Sequence, residues 1–221
     1  RIDRVDLCRE GNRLFVKIVD YKSGNRDLDP AMMRAGLQLQ LMLYMEAQVR
    51  FLEEKRQNAE VIPAAMLYYR FDDPMLDAKE SAGILEERER SGEENARDLE
   101  THSVRGRLRP KGLVGSEPEI LEHLDHGLAK GASSSEVIPV KLLKKGGFTA
   151  ASKVISREEY QALRDELREK ICLLAEDILE GRTDASPVRI SRDLSACTYC
   201  PYRNVCGFDV RIPGYDYRDI R

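Results

Sequence analysis

The chain has 221 residues, of which 42% are hydrophobic and 34% charged, and its formal net charge is −3 at pH 7. This length can bury one large core or two small ones, and the composition is typical of a soluble globular protein with a polar surface. No apolar run reaches the about 18 residues that a membrane span requires, so we expect neither a membrane partner nor a signal peptide. The nearly balanced charge restricts any nucleic-acid contact to a local basic patch.

The cysteines and the first residue of the chain lead to two further expectations, about metal binding and about the length of the whole protein. Five cysteines are an odd number and three of them are close together, which argues against a secreted disulfide framework and for a metal centre in a reducing cytoplasm. The chain begins at Arg1, inside a predicted strand, so we expect it to be part of a larger protein.

Residues 1–7 alternate between polar and apolar and predict a short strand, followed by a turn at residues 10–12. The strand would form a hairpin with the next one and would bring Asp3 or Asp6 close to Asp20. The alternation alone does not decide between the two carboxylates, because a bulge in the turn would exchange the two faces.

The stretch from Leu14 to Gly24, LFVKIVDYKSG, predicts a strand that is apolar on both faces and therefore buried. It ends in Asp20-Tyr21-Lys22, and the period of two places Asp20 and Lys22 on the same face. Because a buried charge must be paired or bound to a metal, the two residues indicate either a functional site or an ion pair at an exposed strand end.

A long helix is predicted next, with Asp29 as its N-cap and Pro30 at its first position, and it should continue to about Lys55. Gln40 and Tyr44 are four residues apart and share one face of this helix. A glutamine in so apolar a segment needs a hydrogen-bond partner, which either a functional site or the backbone can supply.

Residues 61–71 predict another strand, and residues 76–136 form a highly charged region, with a helix or loop, a basic turn and a short helix at residues 118–128. Residues 137–143 and 148–155 predict a hairpin across Lys144 and Lys145, two lysines that can contact a phosphate backbone. Ser156 and Glu159 form a capping box that starts a long helix, in which Cys172 is expected to be a buried core residue. We therefore divide the chain into a core (residues 1–75), a charged insertion (76–136) and a C-terminal part (137–221).

Near the C-terminus, Cys197, Cys200 and Cys206 form a C-x2-C-x5-C pattern. Zinc and iron–sulfur sites of this type need four ligands, so Cys8, Cys172 or a residue outside the chain would supply the fourth. Three cysteines do not distinguish zinc from an iron–sulfur cluster.

These patterns together resemble a known family. Ile2-Asp3, Val19-Asp20-Tyr21-Lys22-Ser23 and Gln40-x3-Tyr44 are similar to the motifs of the RecB-type branch of the PD-(D/E)xK nucleases, and the three cysteines resemble the C-terminal iron–sulfur staple of the same branch. The nuclease domain of the B subunit of AddAB-type helicase–nucleases is similar over essentially the whole chain.

The resemblance implies an α/β fold of the restriction-endonuclease type, with a mixed central sheet flanked by helices, an inserted charged region and a cysteine-cluster extension. It also implies Mg²⁺-dependent hydrolysis of single-stranded DNA during the processing of double-strand breaks, in the bacterial cytoplasm and with the helicase–nuclease A subunit as partner. Asp3, Asp20 and the Tyr21 carbonyl would hold Mg²⁺, Lys22 would act on the water or the phosphate, and Gln40 and Tyr44 would support the site. Cys197, Cys200 and Cys206 would be three ligands of a [4Fe–4S] cluster whose fourth cysteine lies outside this chain.

Two classes of alternative are open. A stand-alone Cas4-like exonuclease would use the same motifs. A catalytically idle DNA-binding or structural module would keep an iron–sulfur or zinc site, with Asp20 and Lys22 merely paired to each other.

Overall fold

A computed structural model describes residues 1–24, 26–56, 58–71 and 75–220. Its strands are β1 (Arg4–Glu10), β2 (Arg13–Lys22), β3 (Glu60–Arg70), β4 (Lys111–Gly115), β5 (Val154–Ile155), β6 (Val188–Arg189) and β7 (Arg218–Asp219). Its helices are α1 (Pro30–Arg34), α2 (Gln40–Lys55), α3 (Ala78–Ser91), α4 (Glu93–Leu108), α5 (Pro118–Leu124), α6 (His126–Ala129), α7 (Arg157–Leu179) and α8 (Arg203–Cys206). Within these ranges no helix has the length and apolar character needed to cross a membrane.

The central sheet is mixed and has the strand order β1-β2-β3-β4-β5. β1 and β2 form the predicted antiparallel hairpin, β2 and β3 are parallel, β3 and β4 antiparallel, and β4 and β5 parallel. The second strand is largely buried, and Val16 and Ile18 are fully inaccessible to solvent. This confirms the α/β class and the mixed sheet flanked by helices.

The chain divides into two compact units. The first consists of Arg1–Leu28 and Gln40–Glu159, and it contains the central sheet. The second consists of Asp29–Leu39 and Tyr160–Arg221, and it contains the cysteine pattern.

The prediction of a single helix from Pro30 to Lys55 is wrong. Asp29 does cap a helix by accepting a hydrogen bond from the Ala31 N–H, but α1 ends at Arg34 and α2 begins only at Gln40. Two residues in between are left-handed, Gly36 with φ 87° and Gln38 with φ 53°, and such residues end a helix.

The basic run expected to be a turn is only partly one: α4 continues to Leu108, a bend follows at Arg109, and β4 then begins at Lys111 and joins the central sheet. All but the first residue of this strand are buried. Gly112 has φ 144°, and a Cβ at this position would lie 2.1 Å from the carbonyl oxygen of Met66 on β3. The glycine therefore allows two strands to approach each other where any side chain would collide.

The hairpin expected over residues 137–155 forms only next to its turn. Leu142 and Phe148 make a single antiparallel bridge, and the Leu143 N–H donates to the Gly147 carbonyl at 3.0 Å. The expected long ladder is wrong, because Val154–Ile155 pairs in parallel with β4. Ser152 Oγ instead accepts from the Lys141 N–H and donates to the Lys141 carbonyl.

The capping box of α7 is present as predicted. Ser156 Oγ accepts from the Glu159 N–H at 3.2 Å, and the Glu159 carboxylate accepts from the Ser156 N–H at 2.9 Å. The helix is followed by Gly181 with φ 71°. The prediction that Cys172 is buried on this helix is wrong, because its side chain is exposed.

Candidate active site

The candidate active site is built around the Asp20 carboxylate at the end of β2. Asp20 is only 2% exposed and lies next to Tyr68 in the parallel pairing of β2 with β3. Side chains alternate along a strand, so Asp20 and Lys22 share a face. On the opposite face Val19 packs into a hydrophobic core with Leu67 and Val114.

Gln40 connects the charged residues of this face. Its Nε2 donates to Asp20 Oδ1 at 3.1 Å, while its Oε1 accepts from Lys22 Nζ at 3.1 Å. The same Nε2 also donates to the hydroxyl of Tyr44 at 2.9 Å. The amide is therefore saturated by the site itself, and the sequence-level alternative of a backbone-satisfied core glutamine does not apply.

The second oxygen of Asp20 has a different environment. Asp20 Oδ2 forms an ion pair with the Lys22 ammonium. It is buried, and within the described part of the chain it accepts no hydrogen bond of normal geometry. A buried carboxylate oxygen of this kind is available to a cation.

The break before α2 explains how Gln40 reaches the site. Gln40 is the first residue of that helix and follows the left-handed Gln38. From this position the Gln40 side chain projects toward the end of β2, where it contacts Asp20 and Lys22. The next two residues, Leu41 and Met42, are buried. Tyr44 follows one turn later and carries the hydroxyl that contacts the amide.

The structure places Asp3, and not Asp6, on the same face as Asp20. Arg4 is opposite Val19 in the hairpin register, so Asp3, just before β1, is next to the end of β2. Asp3 Oδ2 accepts from the Tyr21 N–H at 3.1 Å. Asp6 instead lies opposite Lys17, on the other face from Asp20, and its Oδ2 is 2.8 Å from Lys17 Nζ.

The electrostatics of Asp6 agree with this role as a surface ion-pair residue. Burial alone would raise the pKa of Asp6, but hydrogen bonds and charges from Arg4 and Lys17 outweigh it, and the pKa is lowered. Asp6 Oδ1 accepts from Arg4 Nε at 2.7 Å.

Sequence reasoning missed Tyr68. Its side chain is 6% exposed, and the Lys22 ammonium lies over its ring at 5.7 Å from the centroid. Burial raises the pKa of the Tyr68 hydroxyl, the Asp20 charge raises it further, and Arg26 opposes both effects. The missed signal was the Tyr68-Tyr69 pair at the end of a predicted strand, which becomes meaningful only once the register with β2 is known.

The donor set at the strand end fits a divalent cation of the magnesium type. It comprises the carboxylates of Asp3 and Asp20 and the carbonyl of Tyr21, all hard oxygens, and Mg²⁺ keeps several water ligands besides such groups. The buried Oδ2 of Asp20, which already contacts the Lys22 ammonium, is an oxygen that attracts a cation and supports the fit.

The three cysteines of the C-x2-C-x5-C pattern are not gathered into a metal site in the described residues. Among residues 1–24, 26–56, 58–71 and 75–220, no group of three or more His, Cys, Asp or Glu side chains is gathered so that it could hold a metal ion. Cys197 and Cys200 are linked by a backbone hydrogen bond of 3.3 Å, and Cys206 ends α8. Cys8 lies in the first unit, with its Sγ 3.7 Å from His123 Nδ1. The iron–sulfur cluster and its extension remain predictions.

Lys144 and Lys145, the predicted phosphate contacts, are exposed in the turn before Gly146 and Gly147. Both glycines are left-handed, with φ 86° and 84°, so the turn follows the predicted glycine pattern.

Comparison with known families identifies the protein family of this chain. Residues 1–207 match the family described as the PD-(D/E)XK nuclease superfamily. The chain belongs to this superfamily, and the prediction that it is a nuclease domain is confirmed.

Curated relatives cover the whole chain, and all those compared are named as the B subunit of an ATP-dependent helicase/deoxyribonuclease. The chain is 35% identical over 227 residues to the protein of this name from Lachnoclostridium phytofermentans, in an alignment that covers 100% of this chain and 18% of that protein. The proteins from Thermoanaerobacter sp. (strain X514) and Clostridium botulinum (strain Hall) are 32% and 34% identical, over 100% and 98% of this chain. The chain spans 17% to 18% of the length of these relatives.

Proposed function

We propose that this chain is a Mg²⁺-dependent deoxyribonuclease domain that hydrolyses phosphodiesters of single-stranded DNA. The observation that carries the proposal is the Gln40 amide, which joins the buried Asp20 carboxylate to the Lys22 ammonium at the end of β2. A carboxylate and a lysine at the end of β2, joined by an amide from α2, are groups that can hold a metal, orient a water and stabilise charge on a phosphate ester.

Each residue then has a definite role. Asp3, Asp20 and the Tyr21 carbonyl hold the metal, which when bound lowers the pKa of a water and neutralises charge on the phosphate. Lys22 supplies a point charge that orients the water or stabilises the phosphate oxygens. Gln40 holds Asp20 and Lys22 in one geometry, and Tyr44 holds Gln40.

The relatives support a setting for this activity. Their name combines an ATP-dependent helicase with a deoxyribonuclease and designates the B subunit, so we propose an A subunit as partner. In such a complex the substrate is the single strand released by unwinding at a double-strand break, in the bacterial cytoplasm. We further propose that Lys144 and Lys145 contact the DNA backbone and that Cys197, Cys200 and Cys206 bind a [4Fe–4S] cluster with a fourth cysteine outside this chain.

The decisive experiment compares two aspartates in the native full-length protein, prepared with any subunit that copurifies. Single-stranded DNA with a fluorescent 5′ end is incubated with Mg²⁺, and the products are separated on a gel. We expect Asp20→Asn to lower the cleavage rate by at least about 100-fold, because the metal loses a charged ligand.

The matched control is Asp6→Asn, which removes a carboxylate from the other face of the hairpin and should leave cleavage unchanged. Native circular dichroism and unaltered DNA binding must accompany both variants. Full cleavage by a correctly folded Asp20→Asn protein would refute the proposal.

A further inference from the structure

Tyr68 forms an aromatic wall beside the charged residues of the strand end. It occupies the position on β3 directly next to Asp20 on β2, in the parallel register that also places Tyr69 next to Tyr21. Tyr68 therefore faces the site, whereas Tyr69 is on the other side of the sheet, where its ring contacts that of Tyr21 edge-on at 5.8 Å.

Among the residues that the structure describes, the Lys22 ammonium has three partners on this face. They are the Asp20 carboxylate, the Gln40 Oε1 at 3.1 Å and the face of the Tyr68 ring at 5.7 Å from the centroid. Of these three contacts, only the ion pair with Asp20 involves the oxygen Oδ2. A cation bound at that oxygen would compete with Lys22 for it, and Gln40 and Tyr68 are the two partners that do not depend on it.

The burial of the Tyr68 ring favours its attraction for the Lys22 ammonium. Tyr68 is 6% exposed while the Lys22 side chain is 30% exposed, so the ammonium lies between a dry aromatic face and the solvent. A cation is attracted to the negative face of an aromatic ring within about 6 Å, and the attraction strengthens as water is excluded.

We propose that Tyr68 is a positioning residue for Lys22, whose ring face keeps the ammonium beside Asp20 and directed at the reacting phosphate. The inference rests on the proposed nuclease function, in which Lys22 acts on that phosphate. The ring, and not the hydroxyl, carries the effect.

The test uses two substitutions at Tyr68 in the native full-length protein. Tyr68→Phe keeps the aromatic face, and Tyr68→Leu replaces it with an aliphatic side chain. With single-stranded DNA and Mg²⁺ we expect Tyr68→Leu to lower kcat about tenfold with little change in KM, as for an interaction made in the transition state. Tyr68→Phe should stay within about twofold of the wild type. Tyr69→Leu removes the neighbouring ring from the other face and should leave kcat unchanged.

A second measurement does not depend on cleavage. Acylation of lysines by a water-soluble amine reagent in the presence of Mg²⁺ is followed at each residue by mass spectrometry. Lys17 is the matched control, because it is also paired with an aspartate and its side chain is 27% exposed, against 30% for Lys22. We expect Tyr68→Leu to raise the acylation rate of Lys22 several-fold, with Lys17 unchanged and Tyr68→Phe like the wild type.

The two measurements separate the failure of this inference from that of the nuclease function. Unchanged acylation of Lys22 in Tyr68→Leu overturns the inference, and so does an unchanged kcat when Lys22→Ala is inactive. A loss of kcat in Tyr68→Phe equal to that in Tyr68→Leu also overturns it, because the hydroxyl would then be responsible. If Lys22 responds as expected but no protein cleaves DNA, the contact is upheld and the nuclease proposal fails.

Discussion

The strand-end residues around Asp20 and the cysteine segment from Cys197 to Cys206 are positioned by different means. Asp20 is 2% exposed and lies on β2, where Val16 and Ile18 are fully buried, and Gln40 connects it to Lys22. The cysteine segment is held by short local contacts, such as the hydrogen bond from the Ser195 N–H to Thr198 Oγ1 at 3.0 Å. Its large side chains are turned to solvent: Tyr199 is 87% exposed and Val205 82%.

This difference indicates which geometry each region can hold by itself. Strand register and core packing fix the position of Asp20, the buried residue that we propose as a metal ligand, as preorganised catalysis requires. If the thiols of the cysteine segment bind a metal or cluster as proposed, they would take their final positions from it, as in small metal-binding domains in general. We therefore expect the nuclease centre to respond to mutations in the sheet, and the cysteine segment to respond to mutations of the cysteines themselves.

The largest effect is expected for Cys200→Ser in the native full-length protein prepared without oxygen. If the three cysteines bind a [4Fe–4S] cluster, this change removes a ligand and should abolish nearly all iron and acid-labile sulfide, together with the visible absorbance. Cys172→Ser is the control, because Cys172 is an exposed cysteine on α7 outside the C-x2-C-x5-C pattern, and it should keep its iron. Stoichiometric zinc in the wild type would replace the iron–sulfur assignment with a zinc site.

Next in size is the effect of Gly112→Ala on the sheet that supports Asp20. The added Cβ would lie 2.1 Å from the Met66 carbonyl oxygen, at a φ of 144° that side chains rarely adopt. We expect a loss of about 3 kcal/mol or more in the free energy of unfolding, measured by urea denaturation. Gly106→Ala in α4 is the control, since its Cβ meets nothing within 4 Å, and it should be neutral or slightly stabilising. Equal urea midpoints for the two variants would contradict this account of β4.

The features that the sequence predicted correctly depend on short spacings. Asp20 and Lys22 are two residues apart on one strand, and Gln40 and Tyr44 one turn apart on one helix, so the local period alone places each pair on a common face. The N-cap at Asp29 is equally local.

The features that the sequence did not predict depend on contacts between distant segments. Tyr68 adjoins Asp20 only through the parallel register of β2 and β3. The strand β4 begins at the end of a basic run and has glycine at two of its five positions, so only its pairing with β3 reveals it. The break between α1 and α2 involves the left-handed Gly36, whose residue type favours a helix end, and the left-handed Gln38, whose residue type does not indicate this conformation.

A smaller loss is expected when the amide that connects the strand-end residues is removed. Gln40→Leu keeps the approximate size of the side chain but leaves the buried Asp20 Oδ1 without the donor that lies 3.1 Å away. An unsatisfied buried acceptor costs about 1–3 kcal/mol, so the free energy of unfolding should fall by about 2 kcal/mol. Gln48→Leu, a partly buried glutamine on the same helix, should change it by less than about 0.5 kcal/mol. If Gln48→Leu were equally costly, the loss would reflect helix packing and not the support of Asp20.

The smallest effect concerns Asp6, on the face of the hairpin away from Asp20, and depends on pH. Its pKa is lowered in the folded protein, because Arg4 and Lys17 outweigh the burial that would raise it. Above the unfolded pKa of about 3.9 the charged carboxylate stabilises the fold, and this contribution is lost as the pH falls through the lower folded pKa. Asp6→Asn should therefore reduce the free energy of unfolding by less than about 1 kcal/mol at pH 7, since the pair is partly exposed and screened by salt. The difference from the wild type should shrink below about pH 4 in urea titrations at low ionic strength. A difference that stays constant or grows on acidification would show that the carboxylate is not stabilised by these two cations.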